Sequence, residues 1–237
     1  MSNEQLTTSK ADCVAIVSGG MDSVTLLHHL VKKEARRPAV ITFIYGQKHE
    51  KEVAFARWQA AQLGCRDHLV LDLGLLRPLF ATSALVGEQV AIPDIAEVED
   101  DPQPPTYVPN RNMIFLALAA AYAETLGAHE VFYGAQRHDM YGYWDTTPQF
   151  LAALNQVYGL NHKTPVEIKA PFVHHSKADI LRAGLALGVD YRATWSCYEG
   201  RDAACGRCPT CAERLAAFAK IGQTDPISYQ EIMPPET

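Results

Sequence analysis

The sequence has no apolar run near the roughly 18 residues that a membrane-spanning helix needs, so insertion as a helix is not expected. It has no excess of positive charge either: 21 Lys and Arg stand against 27 Asp and Glu, for a formal net charge of -6. Without a broad basic field, the sequence-independent drive toward nucleic acid is missing, and no polynucleotide partner is expected. Met1 to Asp12 is polar, with no signal-peptide core, which makes a cytoplasmic protein the expectation. No internal repeat with a period of about 20 to 50 residues is present. Glycine (15), proline (14) and aromatics (9%) stay near ordinary values, which excludes collagen-like, low-complexity and disordered classes. Cysteine is scarce, six in 237 residues, and in this context thiols or metal ligands come before disulfides.

What is present is a 48% hydrophobic share. A chain of this length can bury about 70% of its unfolded surface in one core. Cys13 to Val17 reads as a buried strand that meets Ser18-Gly19-Gly20 and then a helical stretch from Ser23 to Ala35. Ala39 to Tyr45 is β-branched and aromatic, Gln47 to Leu63 is helical by pattern, and His68 to Leu73 is a third strand. This alternation predicts an α/β fold, a Rossmann-like parallel sheet with helices on both faces. Between Pro93 and Pro109 stand five prolines and five acidic residues, which predicts a loop, either solvated or walling a site. Asn110 to Leu126 reads as an Asn-capped helix stopped by Gly127. A strand (His129 to Gly134), a helix (Thr147 to Tyr158) and a further strand (Val166 to Ala170) follow. Ser176 and Asp179 then form a capping-box-like start for a helix running to about Leu187. A last helix is read near Ala212 to Ala219. The expected organisation is a nucleotide-binding domain over residues 11–192 and a cysteine-bound segment with its helix over 193–222, with tails at 1–10 and 223–237.

The first turn carries the chemistry. It lacks the Gly-x-x-x-x-Gly-Lys-Ser/Thr of a P-loop and the three-glycine dinucleotide fingerprint, which removes ordinary NTPase and dehydrogenase readings. Ser18-Gly19-Gly20-Met21-Asp22-Ser23 instead places two glycines between a strand and a helix, where backbone N–H groups and the helix dipole make an anion nest. The string resembles the SGG-x-DS loop of the PP-loop pyrophosphatase superfamily, whose members adenylate a substrate and release pyrophosphate. That resemblance implies ATP binding by Val17, Ser18, Gly19, Gly20, Met21, Asp22, Ser23, Val24, Thr25, Leu26 and Leu27. Asp22 is the candidate Mg²⁺ ligand, and the two serines are phosphate donors.

Cys197, Cys205, Cys208 and Cys211 form Cys-x₇-Cys-x₂-Cys-x₂-Cys. Four thiolates at such spacing suit one structural Zn²⁺ with tetrahedral closure, and an iron–sulfur cluster is the alternative that the same residues permit. Cys13 and Cys65 stand in or beside apolar elements and read as packed thiols.

Taken together, the SGGMDS loop, YGQKH at Tyr45 to His49, YVPNRN at Tyr107 to Asn112, Gly134 followed by Asp139, and TWSCYEG with the cysteine quartet resemble the 7-cyano-7-deazaguanine synthase family from Val14 to Phe218. The resemblance implies a ligase of queuosine biosynthesis that turns 7-carboxy-7-deazaguanine, ATP and ammonia into the nitrile through an acyl-adenylate, an amide and a second adenylation. It also implies a homodimer. Asp22, Ser23, Arg111 and His49 become candidate catalytic residues, and Gln47, Arg111, Asn112, Asp139, Tyr143 and Asp145 candidate substrate contacts. The segment Met140 to Thr147 departs from the family's Tyr-Ser-Gly-Tyr-Pro-Asp-Cys-Arg string. That departure leaves open a relative that hands the adenylated carboxylate to another amine, on a protein or a nucleic acid. A nucleotide-binding module without turnover is the reading from a different class.

Overall fold

Five short strands, rich in Val, Ile and Phe, pair in parallel in the order β3-β2-β1-β4-β5, as seen in a computed structural model that describes residues 10–98, 101, 103–137 and 143–230. They are β1 (Cys13–Ile16), β2 (Pro38–Ile44), β3 (His68–Asp72), β4 (Glu130–Phe132) and β5 (Glu167–Lys169). The central strand β1 pairs with β2 on one side and β4 on the other. Parallel strands need crossovers, and here the crossovers carry helices that hide both faces of the sheet. Alternation along β1 sends Val14 into one apolar cluster and Cys13 and Ala15 into the other.

The first cluster is closed by α4 (Arg111–Leu126) and α5 (Pro148–Tyr158), which bring Phe115, Leu116, Phe150 and Leu154 against the sheet. The second is closed by α1 (Met21–His28), α2 (Lys51–Gln62), α6 (Lys177–Ala186) and α7 (Pro209–Lys220). Leu26, Leu27, Ile180, Leu181 and Phe218 fill it. Each such side chain contributes roughly 1.5–3 kcal/mol by leaving water. One further turn, α3 (Arg77–Phe80), sits between β3 and the proline-rich loop and buries Phe80.

Local signals act as the sequence implies at several ends. The Thr147 hydroxyl accepts from the Phe150 N–H at the start of α5, and Ser176 and Asp179 complete a reciprocal capping box at α6. Gly127 closes α4 in the left-handed region. Three expectations need correction. The first helix is shorter than Ser23 to Ala35, because regular α geometry ends at His28 and a wider π turn over His29–Lys33 replaces it. Asn110 does not cap α4 with its side chain: it takes φ 53°, and its own N–H is satisfied by the Tyr107 hydroxyl. The last helix begins at Pro209, not Ala212, so Cys211 lies on its first turn.

Residues 223–230, read from sequence as part of a tail, are tied down. Ala204 and Tyr229 form a bridge, and Asp225 makes a buried ion pair with Arg214 of α7.

Candidate active site

The direction of chain flow reverses about β1: β2 and β3 lie to one side, β4 and β5 to the other. Ligands of open α/β sheets bind at the carboxyl ends of the strands beside such a switch point. A cavity of about 280 Å³ lies there, lined by the turns after β1 and β4.

The loop after β1 is shaped by its glycines. Gly19 has φ 100°, and a Cβ on it would stand 2.0 Å from the Glu52 carbonyl oxygen, so only glycine lets the loop close onto α2. Gly20 occupies the N-cap of α1 and offers no side chain, which leaves the first N–H groups of the helix free for an anion. The Ser23 hydroxyl accepts from the N–H groups of Ser18 (3.2 Å) and Gly19 (3.3 Å) and donates to the Gly20 carbonyl (3.1 Å). These bonds tie the turn to the start of α1 and fix the Ser23 hydroxyl beside the cavity.

Asp22, in the first turn of α1, has Oδ1 buried with no hydrogen-bond partner among the described residues, while Oδ2 lies 3.5 Å from Lys177 Nζ. Lys177 opens α6 and also contacts Glu213 of α7 at 2.7 Å. Burial opposes its charge, but the two carboxylates outweigh that and hold its pKa above the usual lysine value. A fixed ammonium beside an orphaned carboxylate oxygen and a helix N-terminus without a side-chain cap suits a polyphosphate with a hard cation.

The far wall comes from α4 and the turns near it. Arg111 donates to the Tyr45 hydroxyl at 3.1 Å. Burial disfavours its charge, yet Tyr45, Tyr198 and Asp145 hold its pKa above the ordinary arginine range. Asn112, Tyr143 and the buried Asp145 line the same cavity. Tyr143 bonds to Thr106 Oγ1 at 2.8 Å, so the proline-rich loop is a wall of the site. Two further polar atoms on the turn after β4, Tyr133 OH and Gln136 Oε1, are buried and unpartnered among the described residues.

Of the candidates read from sequence, Val17, Ser18, Gly20, Met21, Asp22, Ser23, His49, Arg111, Asn112, Tyr143 and Asp145 line this cavity. Val24, Thr25, Leu26 and Leu27 do not. A helix turns such residues through every direction, and here all four are fully buried in packing, with Thr25 bonded to Tyr191. Gln47 is also away from the lining: its amide staples its own turn, accepting from the Tyr45 N–H at 2.8 Å and donating to the Phe43 carbonyl at 3.2 Å. Asp139 lies outside the described residues. Lys177, Glu213, Glu52, Tyr133 and Gln136 were missed. Lys177 had one usable signal, its place directly after the Ser176 cap, where a helix N-terminus meets the sheet edge.

His49 and Glu52 form a buried pair, with Nε2 and Oε1 3.4 Å apart. Burial, with Arg111 adding to it, pushes the imidazole down to about 3. Burial pushes the carboxyl up to about 8, against the opposing pull of Arg111 and hydrogen bonds from Gln47 and Ser18. Both groups are therefore neutral over much of the range below pH 8.

The cysteine quartet abuts this cavity. Cys197, Cys205, Cys208 and Cys211 are buried, and their sulfurs all lie within 4.8 Å of one another. Zn–S bonds of about 2.3 Å would give tetrahedral S···S edges of about 3.8 Å, which the set can reach with small shifts. The N–H of Cys205 donates to Cys197 Sγ and that of Cys208 to Cys205 Sγ, both at 3.3 Å, as suits thiolates held on a metal ion. Gly200, at φ 65°, packs where a Cβ would stand 2.2 Å from the Lys48 carbonyl, which presses this segment onto the His49 turn. The other two cysteines take no part: burial pushes the Cys13 thiol up to about 12 and that of Cys65 up to about 11.

A family model described as "Queuosine biosynthesis protein QueC" matches residues 12–222. The chain belongs to the QueC family. Relatives in that family are similar over nearly their whole length. The 7-cyano-7-deazaguanine synthase of Hahella chejuensis is 43% identical over 92% of this chain and 93% of that protein. The synthases of Psychromonas ingrahamii and Caldicellulosiruptor saccharolyticus are 43% and 45% identical, over 92% of this chain and 97% and 95% of theirs. QueC membership spans both the loop after β1 and the cysteine quartet, so the two features belong to one inherited unit.

Proposed function

We propose that this protein converts 7-carboxy-7-deazaguanine to 7-cyano-7-deazaguanine at the expense of ATP, with ammonia as the nitrogen source. The observation that carries this reading is the full-length similarity to synthases of that name. The geometry supports it. A carboxylate is a poor electrophile, and transfer to the α-phosphate of ATP gives it a leaving group. The loop after β1 holds the phosphates with backbone N–H groups, and Lys177 adds fixed positive charge. Asp22, with its unpartnered oxygen, would hold Mg²⁺, which supplies charge neutralisation on the phosphates. Arg111, kept cationic at the far wall, orients the substrate carboxylate toward the α-phosphate. Asp145 and Gln136 offer acceptors for the N1–H and 2-amino group of a guanine-like ring, and the Tyr133 hydroxyl can donate to its carbonyl.

In this reading the quartet holds one structural Zn²⁺, since four sulfur ligands leave no open position for water. The enzyme is read as a cytoplasmic homodimer. ATP–pyrophosphate exchange that depends on 7-carboxy-7-deazaguanine tests the adenylation, and mass spectrometry of the products tests the acceptor. The nitrile supports the proposal; an adduct with another amine, or no exchange by metal-replete protein, overturns it.

A further inference from the structure

We propose that Glu52 is the proton acceptor for the nitrogen nucleophile, with His49 as its positioning partner. This rests on the synthase reading. On the way from ammonium to a nitrile, all four hydrogens leave the nitrogen, so a base must stand on that side of the cavity. Ammonium first gives a proton to the Glu52 carboxylate. Neutral ammonia then attacks the acyl carbon, the C–N bond forms, and AMP leaves with the C–O electron pair and the surplus proton. Glu52 then gives its proton to solvent and is again a carboxylate; in the second round the amide oxygen attacks the α-phosphate of ATP, pyrophosphate leaves, and one N–H proton passes to Glu52. As the C–O bond breaks, AMP leaves with its electron pair and takes the last N–H proton on a phosphate oxygen, which gives the nitrile.

Among the carboxylates lining the cavity, Asp22 and Glu213 are ion-paired with Lys177, and Asp145 faces Arg111 on the far wall, where the synthase reading gives it to the ring of the substrate. Glu52 lines the same cavity, and among the described residues no lysine pairs with it. Its neighbours are His49 at 3.4 Å, Gln47, Ser18, Tyr45 and, at longer range, Arg111. Burial lifts its pKa to about 8, which makes its carboxylate a far better base than an ordinary one. Its backbone is clamped against Gly19, so the base is held at a fixed place beside the adenylating loop.

The test compares wild type with Glu52→Gln, which has nearly the same shape and matches the neutral form that burial favours. With ammonium, the Gln variant should lose amide and nitrile formation by about 100-fold or more, while exchange falls by far less. Hydroxylamine is already unprotonated at neutral pH, and hydroxamate formation by the variant should largely survive. Equal loss with both nucleophiles, or no loss with ammonium, overturns the assignment. Absence of exchange in wild type would instead overturn the synthase reading. If the Gln variant does not fold, Glu52→Asp serves: the pH midpoint of amide formation should move from that of wild type, and an unmoved midpoint overturns the assignment.

Discussion

At the scale of single residues, the site is organised by which charges are paired. Lys177 stands between Asp22 and Glu213, with side-chain exposures of 15%, 21% and 17%. Removing the ammonium leaves two carboxylates facing each other in a poorly hydrated place. Lys177→Met should cost about 2 kcal/mol in urea unfolding and lower exchange by about 100-fold, with the larger part in the apparent affinity for ATP. The His49–Glu52 pair gives a pH signature with a definite sign. The carboxyl rises from its ordinary 4.5 to about 8, so the folded protein binds more protons than the unfolded one, and stability falls as pH rises through that window. The imidazole falls from 6.5 to about 3, and its contribution runs the other way, rising with pH between those values. Above pH 6.5 only the Glu52 effect remains. Between pH 6.5 and 8, the unfolding free energy of wild type should therefore decline relative to Glu52→Gln, as measured by denaturation in urea; a constant difference would contradict the raised carboxyl.

At the scale of elements, the cysteine segment packs beside the cavity and brings together four sulfurs that could hold a metal ion. Cys208 precedes Pro209 at the start of α7, and its sulfur sits among the other three. Because metal affinity is itself folding free energy, Cys208→Ser should lose metal content and lower the melting temperature before it alters chemistry. Unchanged zinc content and melting temperature would remove the quartet from the structure's support. The elements were mostly legible in the sequence because their signals are local: strands announced by Val, Ile and Phe, a capping box at Ser176, a stop at Gly127. The loop after β1 was legible for the same reason, since its glycines, Asp22 and Ser23 lie within one turn. What escaped was everything that depends on distant pairing. Lys177 and Glu213 meet only through the packing of α6 on α7, and Glu52 looks like a surface helix residue until Gly19 closes onto it. Conversely, Val24 to Leu27, which the string groups with the loop, lie where the helix turns inward and do not line the cavity.

At the scale of the whole molecule, one buried ion pair joins three regions. Arg214 on α7 is 1% exposed, and its guanidinium meets Asp225 through Nε at 2.6 Å and Nη2 at 2.9 Å. Its remaining donors hold Thr194 Oγ1 and the Tyr191 carbonyl, and the Tyr191 hydroxyl reaches Thr25 of α1 at 2.7 Å. Tyr229 donates to Asp225 from the other side. The segment after residue 222 thus locks α7 to the turn that leads from α6 into the cysteine segment, and through Tyr191 to α1. Breaking a buried pair from one side leaves an uncompensated charge, which costs more than the pair contributes as a whole. Asp225→Asn should therefore destabilise the protein by about 3 kcal/mol in urea unfolding while leaving zinc content intact, because no sulfur ligand is touched. Truncation after Gly222 should lose at least as much, since Tyr229 and the bridge at Ala204 go with Asp225. A double change, Arg214→Met with Asp225→Leu, removes both charges and should recover part of the loss. If Asp225→Asn instead released metal at unchanged stability, the lock would belong to the cysteine segment alone and not to the packing of α7 against the α/β core.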